Sequence, residues 1–192
     1  PRANGGGEAR YYGTIRMADV DGDAKADLCA RHSAGFSCWK SSGDGFATEI
    51  VGPALSDDSG WGATQHWSTI RMGDVNGDGK ADVCARAASG FSCWLSDGAG
   101  FPTQISMDEL GNAQGWDEPY YYATLRLADV TGDGKADICG RGFSGLSCWP
   151  AREGGFDPPI AGPAWANAGG WTEPVEHGLA GEYACPALPP LA

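Results

Sequence analysis

The sequence predicts an all-β protein built from three repeats, and three observations lead to this fold class. Glycine is abundant, with 31 residues among 192, which indicates many turns and few long helices. Between these turns, apolar and polar residues alternate in short runs, as is typical of strands. An acidic motif, a cysteine pair and a tryptophan return at a constant offset of 55 residues. Such a constant offset indicates a repeat architecture.

Each repeat is predicted to contain four strands, and the third copy illustrates the pattern. Its first strand is expected within residues 121–130, a run of β-favouring residues that leads into the acidic motif. The second strand is predicted at residues 137–141 and the third at residues 146–149, joined by a tight turn that ends at Gly145. A weaker fourth strand is expected near Phe156. Each repeat is therefore interpreted as a four-stranded meander.

The repeats are placed approximately at residues 11–65, 66–120 and 121–175, within a single repeat domain that covers residues 1–192. Segments rich in Gly, Pro and Ser end each repeat and link it to the next. Residues 176–192 form a terminal segment in which neither the acidic motif nor the cysteine pair returns. The array of repeats is therefore expected to end there.

The charge of the chain excludes several classes of partner. A formal net charge of −12 argues against binding to nucleic acid and to anionic membrane surfaces. No stretch approaches the ~20 apolar residues that a membrane-spanning helix needs. The chain begins at Pro1 without a charged and then apolar leader, so a signal peptide is expected to have been removed or to lie outside this sequence. Much of the negative charge lies in three compact clusters, which indicates cation binding.

Six cysteines form three pairs, each separated by nine residues and placed to face each other across a hairpin. This geometry favours disulfides. Buried free thiols are one alternative and a zinc site is another, although zinc prefers closer Cys-x2-Cys spacing. Regular disulfides predict an oxidising compartment, and hence a secreted, extracellular protein. Cys185 lies outside this pattern of pairs, and it is either free or bonded to a part of the protein outside this sequence or to another chain. The predicted disulfides are Cys29–Cys38, Cys84–Cys93 and Cys139–Cys148.

The acidic motifs are interpreted as calcium loops of nine residues. Side-chain oxygens occur at positions 1, 3, 5 and 9 of each loop, and the backbone carbonyl of the lysine at position 7 can add another. Ca²⁺ takes about 6–8 oxygen ligands, whereas Mg²⁺ demands a smaller octahedral site and fits poorly. The alternative is a solvated acidic turn. The predicted ligands of three Ca²⁺ ions are Asp19, Asp21, Asp23, Lys25 and Asp27; Asp74, Asn76, Asp78, Lys80 and Asp82; and Asp129, Thr131, Asp133, Lys135 and Asp137.

The residues after each loop distinguish between families that share this acidic beginning. An EF-hand needs a glutamate at position 12 and flanking helices, and a dockerin loop opens a helix. Here the loop runs directly into Ala-Asp-Leu/Val/Ile-Cys, which reads as a strand. In this context the motif resembles the FG-GAP/VCBS repeat family, the calcium-loop blades of integrin α-subunit propellers and of many secreted bacterial proteins. The resemblance covers roughly residues 11–171.

The resemblance implies a β-propeller with one blade per repeat. In this family the calcium loop joins the first two strands on one face, and ligands usually bind at the opposite face. Because propellers need about 4–8 blades, the chain is expected either to be a piece of a longer propeller or to combine with other chains. A β-trefoil-like threefold fold is the alternative, since trefoils also use three four-stranded repeats.

Two groups of aromatic residues recur with the repeats. The tryptophans beside the second cysteine of each pair lie within predicted strands and are expected to pack in the core. The other group occupies the linkers and the starts of the repeats, where exposed rings would stack on sugar faces. The alternative is that these rings seal neighbouring blades together. The predicted ligand-binding residues are Tyr12, Trp61, Trp67, Trp116, Tyr122 and Trp171.

No constellation of residues points to catalysis. The three histidines occupy non-equivalent positions outside any recognisable nucleophile or zinc motif, and most carboxylates are assigned to calcium. The sequence therefore predicts a non-enzymatic, secreted, calcium-binding module that binds an extracellular ligand, with carbohydrate as the favoured class. The alternatives are an accessory or scaffold domain of a larger secreted enzyme, and a protein–protein adhesion module.

Overall fold

Residues 8–171 are described by the computed structural model, and they form three separate four-stranded antiparallel sheets. A trefoil would join its strands into one barrel, so these residues form blades of an open β-propeller instead. The predicted terminal segment 176–192, which includes Cys185, lies outside the described residues.

In each blade, the strands are hydrogen-bonded in the order in which they occur along the chain. The first blade contains β1 (Arg16–Ala18), β2 (Asp27–His32), β3 (Gly35–Ser41) and β4 (Phe46–Val51). The second contains β5 (Arg71–Gly73), β6 (Asp82–Ala87), β7 (Gly90–Leu95) and β8 (Thr103–Met107). The third contains β9 (Arg126–Ala128), β10 (Asp137–Gly142), β11 (Gly145–Trp149) and β14 (Ile160–Ala161), with a small hairpin of β12 (Ala151–Arg152) and β13 (Gly155–Phe156) beside it.

The start of each repeat is a single helical turn, so the strand predicted over residues 121–130 is wrong in its first half. The strand begins only at Arg126. The turn before it is held by backbone bonds, and the Thr124 hydroxyl closes it by donating to the Tyr121 carbonyl oxygen at 2.6 Å. These helical turns are α1 (Ala9–Tyr12), α2 (Thr64–Trp67) and α3 (Pro119–Tyr122).

The fourth strand of the third blade also differs from the prediction. Phe156 lies in the small hairpin, where it pairs with Ala151, and it does not extend the sheet. The outer strand is β14, in which Ile160 pairs with Cys148. Pro158 and Pro159 precede it and have no N–H to donate, so the ladder cannot begin earlier.

The three predicted disulfides are confirmed. Each cysteine of β2, β6 or β10 lies directly opposite its partner in the next strand. The Cα atoms of each pair are 4.0 Å apart, closer than the ~5.5 Å typical of disulfides, because directly opposed residues of antiparallel strands approach each other closely. Each bond therefore fastens the central hairpin of a blade.

The hydrophobic core lies between blades. One cluster joins the first and second blades and contains Val20, Trp61 and Ile70. The second joins the second and third blades and contains Val75 and Trp116. A blade thus buries its apolar faces against its neighbours, as expected for stacked repeats.

A buried arginine in each blade fixes the linker that leads to the next blade. In the first blade, the Arg31 Nε donates to the Leu55 carbonyl oxygen at 2.6 Å, and its Nη2 contacts Asp57. The Tyr11 hydroxyl and Arg31 lower the pKa of Asp57 by hydrogen-bonding its carboxylate. In the other blades the arginine and the residue that replaces Asp57 are Arg86 with Asn112, and Arg141 with Asn167.

Among the described residues, no helix combines the length and the apolar character required to cross a bilayer.

Candidate functional site

The acidic motifs form loops that connect the first and second strands of each blade. In the first loop, the Asp19 carboxylate accepts hydrogen bonds from the backbone N–H groups of Gly22 and Ala24, both at 2.7 Å. The loop therefore winds around the side chain of its first residue, in the manner of an Asx turn. The equivalent bonds run from Gly77 and Gly79 to Asp74 (2.6 and 2.7 Å), and from Gly132 and Gly134 to Asp129 (2.6 and 3.0 Å).

The carboxylate at the ninth loop position is fully buried in each blade. Asp82 accepts hydrogen bonds from the N–H groups of Val75 at 2.9 Å and Ser96 at 2.8 Å, so it ties the loop to the end of the third strand. Burial raises the pKa of Asp82 to about 7, and a bound cation would favour its ionised form. The equivalent residues are Asp27, bonded to Val20 and Ser41, and Asp137, bonded to Val130 and Ala151.

The lysine at the seventh position approaches the carboxylate at the fifth. The Lys25 Nζ lies 2.6 Å from the Asp23 Oδ2, and this hydrogen bond lowers the pKa of Asp23. In the first loop the Lys40 Nζ also lies 3.1 Å from the Asp21 Oδ2. A cation that used the fifth position would therefore compete with a lysine ammonium group. The other pairs are Lys80 with Asp78 at 3.3 Å and Lys135 with Asp133 at 2.8 Å.

The first loop brings three carboxylates close enough together that they could hold a cation. One carboxylate oxygen from each of Asp19, Asp21 and Asp27 lies within 4.8 Å of the other two. Such oxygens are the ligands that hard cations prefer. In the second and third loops, Asn76 and Thr131 replace Asp21. These two loops therefore keep a side-chain oxygen at the third position but carry less negative charge.

A second candidate site is a polar groove on the second blade. It has a volume of about 410 Å³. Ser92 and Ser106 face each other across β7 and β8, with their Oγ atoms 2.9 Å apart. The Gln104 Nε2 donates to both hydroxyl oxygens at 3.1 Å. The lining also includes Met107 and Asp108. The Met107 side chain packs against the core cluster of the second and third blades, so the groove, which we call the β7–β8 groove, combines neutral polar groups with one acidic side chain.

The first blade carries an equivalent groove of about 270 Å³. Ser37 occupies the position of Ser92, and its Oγ lies 3.2 Å from the His32 Nε2. Glu49 replaces Gln104 in the lining. Ser37 faces Val51 in the first blade and Ser147 faces Ala161 in the third, so neither of these blades has the hydroxyl pair. The serine of the recurring Phe/Leu-Ser-Cys-Trp run was the signal in the sequence that could have indicated these grooves.

The aromatic residues predicted to bind ligand lie in different environments. Trp61 packs edge-on against Trp94, with ring centroids 6.2 Å apart, and Trp116 packs in the same way against Trp149 at 6.0 Å. Trp61, Trp116 and Tyr122 are buried, which favours their role as seals between blades. Trp67 is half-buried. Tyr12 and Trp171 are exposed, and Trp171 stacks on Trp165 with ring centroids 5.0 Å apart.

Comparison with known proteins extends this description. The family described as FG-GAP-like repeat matches residues 19–85 and 74–140, so the overlapping matches cover more than half of the chain. A search of curated proteins gave no significant match.

Two solved structures share the fold. A lectin from Agrocybe aegerita, described as recognising non-reducing terminal N-acetylglucosamine, has a TM-score of 0.72 and 27% identity over 82% of this chain and 40% of the lectin. A Photorhabdus luminescens Tc holotoxin pore has a TM-score of 0.56 and 21% identity over 78% of this chain and 7% of the toxin chain. This chain thus spans less than half the length of either protein. All three acidic loops lie within the residues that match this family, and the chain belongs to the FG-GAP-like repeat family.

Proposed function

We propose that this chain is a secreted, calcium-stabilised carbohydrate-binding module that binds without catalysis. The observation that carries the proposal is the β7–β8 groove, whose hydroxyl and amide groups stand on a fold similar to that of a lectin. Neutral hydrogen-bonding groups at the floor of a shallow groove suit the hydroxyls and acetamido groups of a sugar. Because the similar lectin recognises terminal N-acetylglucosamine, that sugar is the first ligand to test.

The polar groups of the groove are already oriented for binding. Ser92, Gln104 and Ser106 hold one another by hydrogen bonds, so their side chains lose little conformational freedom when a ligand arrives. Asp108, an exposed residue of the lining, can accept hydrogen bonds from the hydroxyls of a sugar. The groove of the first blade would form a second, weaker site, and two sites on one chain would raise the avidity for clustered glycans.

Secretion is part of the proposal because of the disulfides. Three cross-strand disulfides persist in oxidising compartments and are rare in the cytosol. The acidic loops would bind calcium through the side-chain oxygens at positions 1, 3, 5 and 9. Their role would be to hold the ends of the first two strands of each blade together.

The groove is tested by the substitution Gln104→Ala. It removes the amide that bonds both serines, so we expect the dissociation constant for an N-acetylglucosamine oligomer to rise about tenfold, the cost of roughly one good hydrogen bond to a ligand. Isothermal titration calorimetry with chitotriose measures the change.

Gln114→Ala is the matched control, because Gln114 is exposed in the linker after the second blade and outside the groove. Unchanged affinity in Gln104→Ala would move the site away from the groove. Absence of binding by the unmodified chain to any sugar on a glycan array would refute carbohydrate binding itself.

A further inference from the structure

The two junctions between blades share three kinds of contact. Arg16 lies in β1, the first strand of the first blade. Its Nη2 donates to the Ile70 carbonyl oxygen of the next blade at 2.9 Å. Arg71 repeats this contact with the Leu125 carbonyl oxygen at 2.9 Å. Each of these carbonyl oxygens also accepts from the arginine of its own blade. In this contact the preceding blade donates and the following blade accepts, so the two sides of the junction differ.

The acidic loops make the second repeated contact. The Ala81 N–H donates to the Asp19 carbonyl oxygen at 2.7 Å, and the Ala136 N–H donates to the Asp74 carbonyl oxygen at 2.6 Å. Val20 and Val75, which follow these aspartates, are fully covered by the next blade. The linker tryptophans make the third contact, since each packs against a tryptophan of the following blade.

The third blade carries the residues that a preceding blade uses at this junction, and no blade follows it among the described residues. Val130 is 49% exposed, whereas its equivalents Val20 and Val75 are 0% exposed. Trp171 is 51% exposed and stacks only on Trp165, with ring centroids 5.0 Å apart. Arg126 bonds only to carbonyl oxygens of its own blade. We call Arg126, Val130, Trp165 and Trp171 the trailing edge.

The first blade carries the residues that a following blade uses at this junction. Ile15 is 49% exposed, whereas its equivalents Ile70 and Leu125 are 0% exposed. Within residues 8–171, Arg16 is the donor to the Ile15 carbonyl oxygen, so this oxygen can accept a second arginine as that of Ile70 does. Met17 is exposed, and Trp39 has no linker tryptophan packed on it among the described residues. We call Ile15, Met17, Ala26 and Trp39 the leading edge.

We propose that the trailing edge of one chain binds the leading edge of a second copy, and that the reciprocal contact closes a ring of six blades. Arg126 then donates to the Ile15 carbonyl oxygen of the other copy, and the Ala26 N–H donates to the Asp129 carbonyl oxygen. Val130 is covered, and Trp171 packs on Trp39. A second copy is the fitting occupant because each edge repeats a surface whose partner is another blade of this same chain.

The size of the ring is consistent with closure. Two chains of three blades give six, within the range of about 4–8 blades in which propellers close. A head-to-tail interface that closes yields a discrete assembly, whereas one that does not close yields a filament. The proposal is independent of what the groove binds.

Light scattering on the full chain over a wide concentration range measures the assembly. We expect a discrete species with twice the single-chain mass of 19.9 kDa. A chain that stays monomeric at every concentration would overturn the proposal, and so would an open-ended series of larger masses.

Two variants test the direction of the contact. Val130→Asp places a charge in the trailing edge, and Ile15→Asp places one in the leading edge. Both residues are half-exposed in a single chain, so each variant should still fold. Each variant alone should raise the dissociation constant at least about tenfold, because a carboxylate would be buried without a partner. An equimolar mixture should recover a dimer with one intact junction. Dimers in either variant alone that match those of the unmodified chain would contradict head-to-tail pairing.

Phe143→Ser is the matched control. Phe143 is a large exposed apolar residue at the hairpin tip of the third blade, and its equivalents Ser33 and Ala88 stay exposed although a following blade is present. This variant should keep the mass of the unmodified chain. Circular dichroism of all three variants checks that the fold is intact.

Discussion

A single backbone torsion distinguishes the first acidic loop from the other two. Ala24 is the only non-glycine residue with positive φ in the part of the chain that the structure describes, at 65°. Gly79 and Gly134 occupy the same position in the second and third loops, with φ of 84° and 85°. An L-residue with a Cβ pays a steric cost of about 1 kcal/mol in this region, whereas glycine does not. The first loop is therefore the most strained of the three.

Ala24→Gly should raise the free energy of unfolding by about 0.5–1 kcal/mol, because relief of the strain exceeds the added freedom of the unfolded chain. Urea denaturation in EDTA measures the change. Gly79→Ala is the converse substitution, and a Cβ at that position would meet no atom within 4 Å. Its cost would therefore be the strain of the torsion, less the freedom that the unfolded chain loses. We expect it to destabilise by about 1 kcal/mol, and equal stability of both variants with the unmodified chain would contradict the argument.

At the scale of elements, sequence reasoning succeeded where the contacts are local. The disulfide of each hairpin joins residues nine apart, so the spacing of the cysteines was sufficient to predict it. The starts of the repeats were misread because aromatic residues such as Tyr121 and Tyr122 favour strands, although Pro119 was a signal for the first turn of a helix. The β7–β8 groove depends on the register that sets Ser92 opposite Ser106, which composition and spacing do not determine.

Substitution of a linker tryptophan tests how the blades are joined. Trp116 is buried against β10, where a Cβ on Gly140 would come within 2.8 Å of its ring. Trp116→Ala should therefore leave a cavity between the second and third blades and lower the free energy of unfolding by about 3–5 kcal/mol. Guanidinium denaturation at low protein concentration measures this loss.

Trp171→Ala is the matched control, since Trp171 holds the same repeat position but is half-exposed in a single chain. It should change stability by less than about 1 kcal/mol under the same conditions. If the two substitutions cost the same, tryptophan burial at the junction is not what joins the blades.

At the scale of the whole molecule, the acidic loops form a connected row rather than three isolated sites. The Ala81 N–H reaches the first residue of the first loop, and the Ala136 N–H reaches the first residue of the second. Much of the formal charge of −12 is gathered in this row, where lysines offset only part of it. Cations bound there would reduce the mutual repulsion of the carboxylates and would stabilise every blade at once.

Calcium should therefore stabilise the whole chain. A ligand that binds only the folded state adds RT ln(1 + [L]/Kd) per site, about 2.7 kcal/mol at a hundred times Kd. We expect calorimetric titration to give three calcium ions per chain, and Asp78→Ala to give two, because it removes the side-chain ligand at the fifth position of the second loop. Asp44→Asn, which removes an exposed acid outside the loops, should leave the count at three. An unmodified chain whose melting temperature is the same in calcium and in EDTA would mean that the lysines alone balance these loops, and that they are solvated acidic turns.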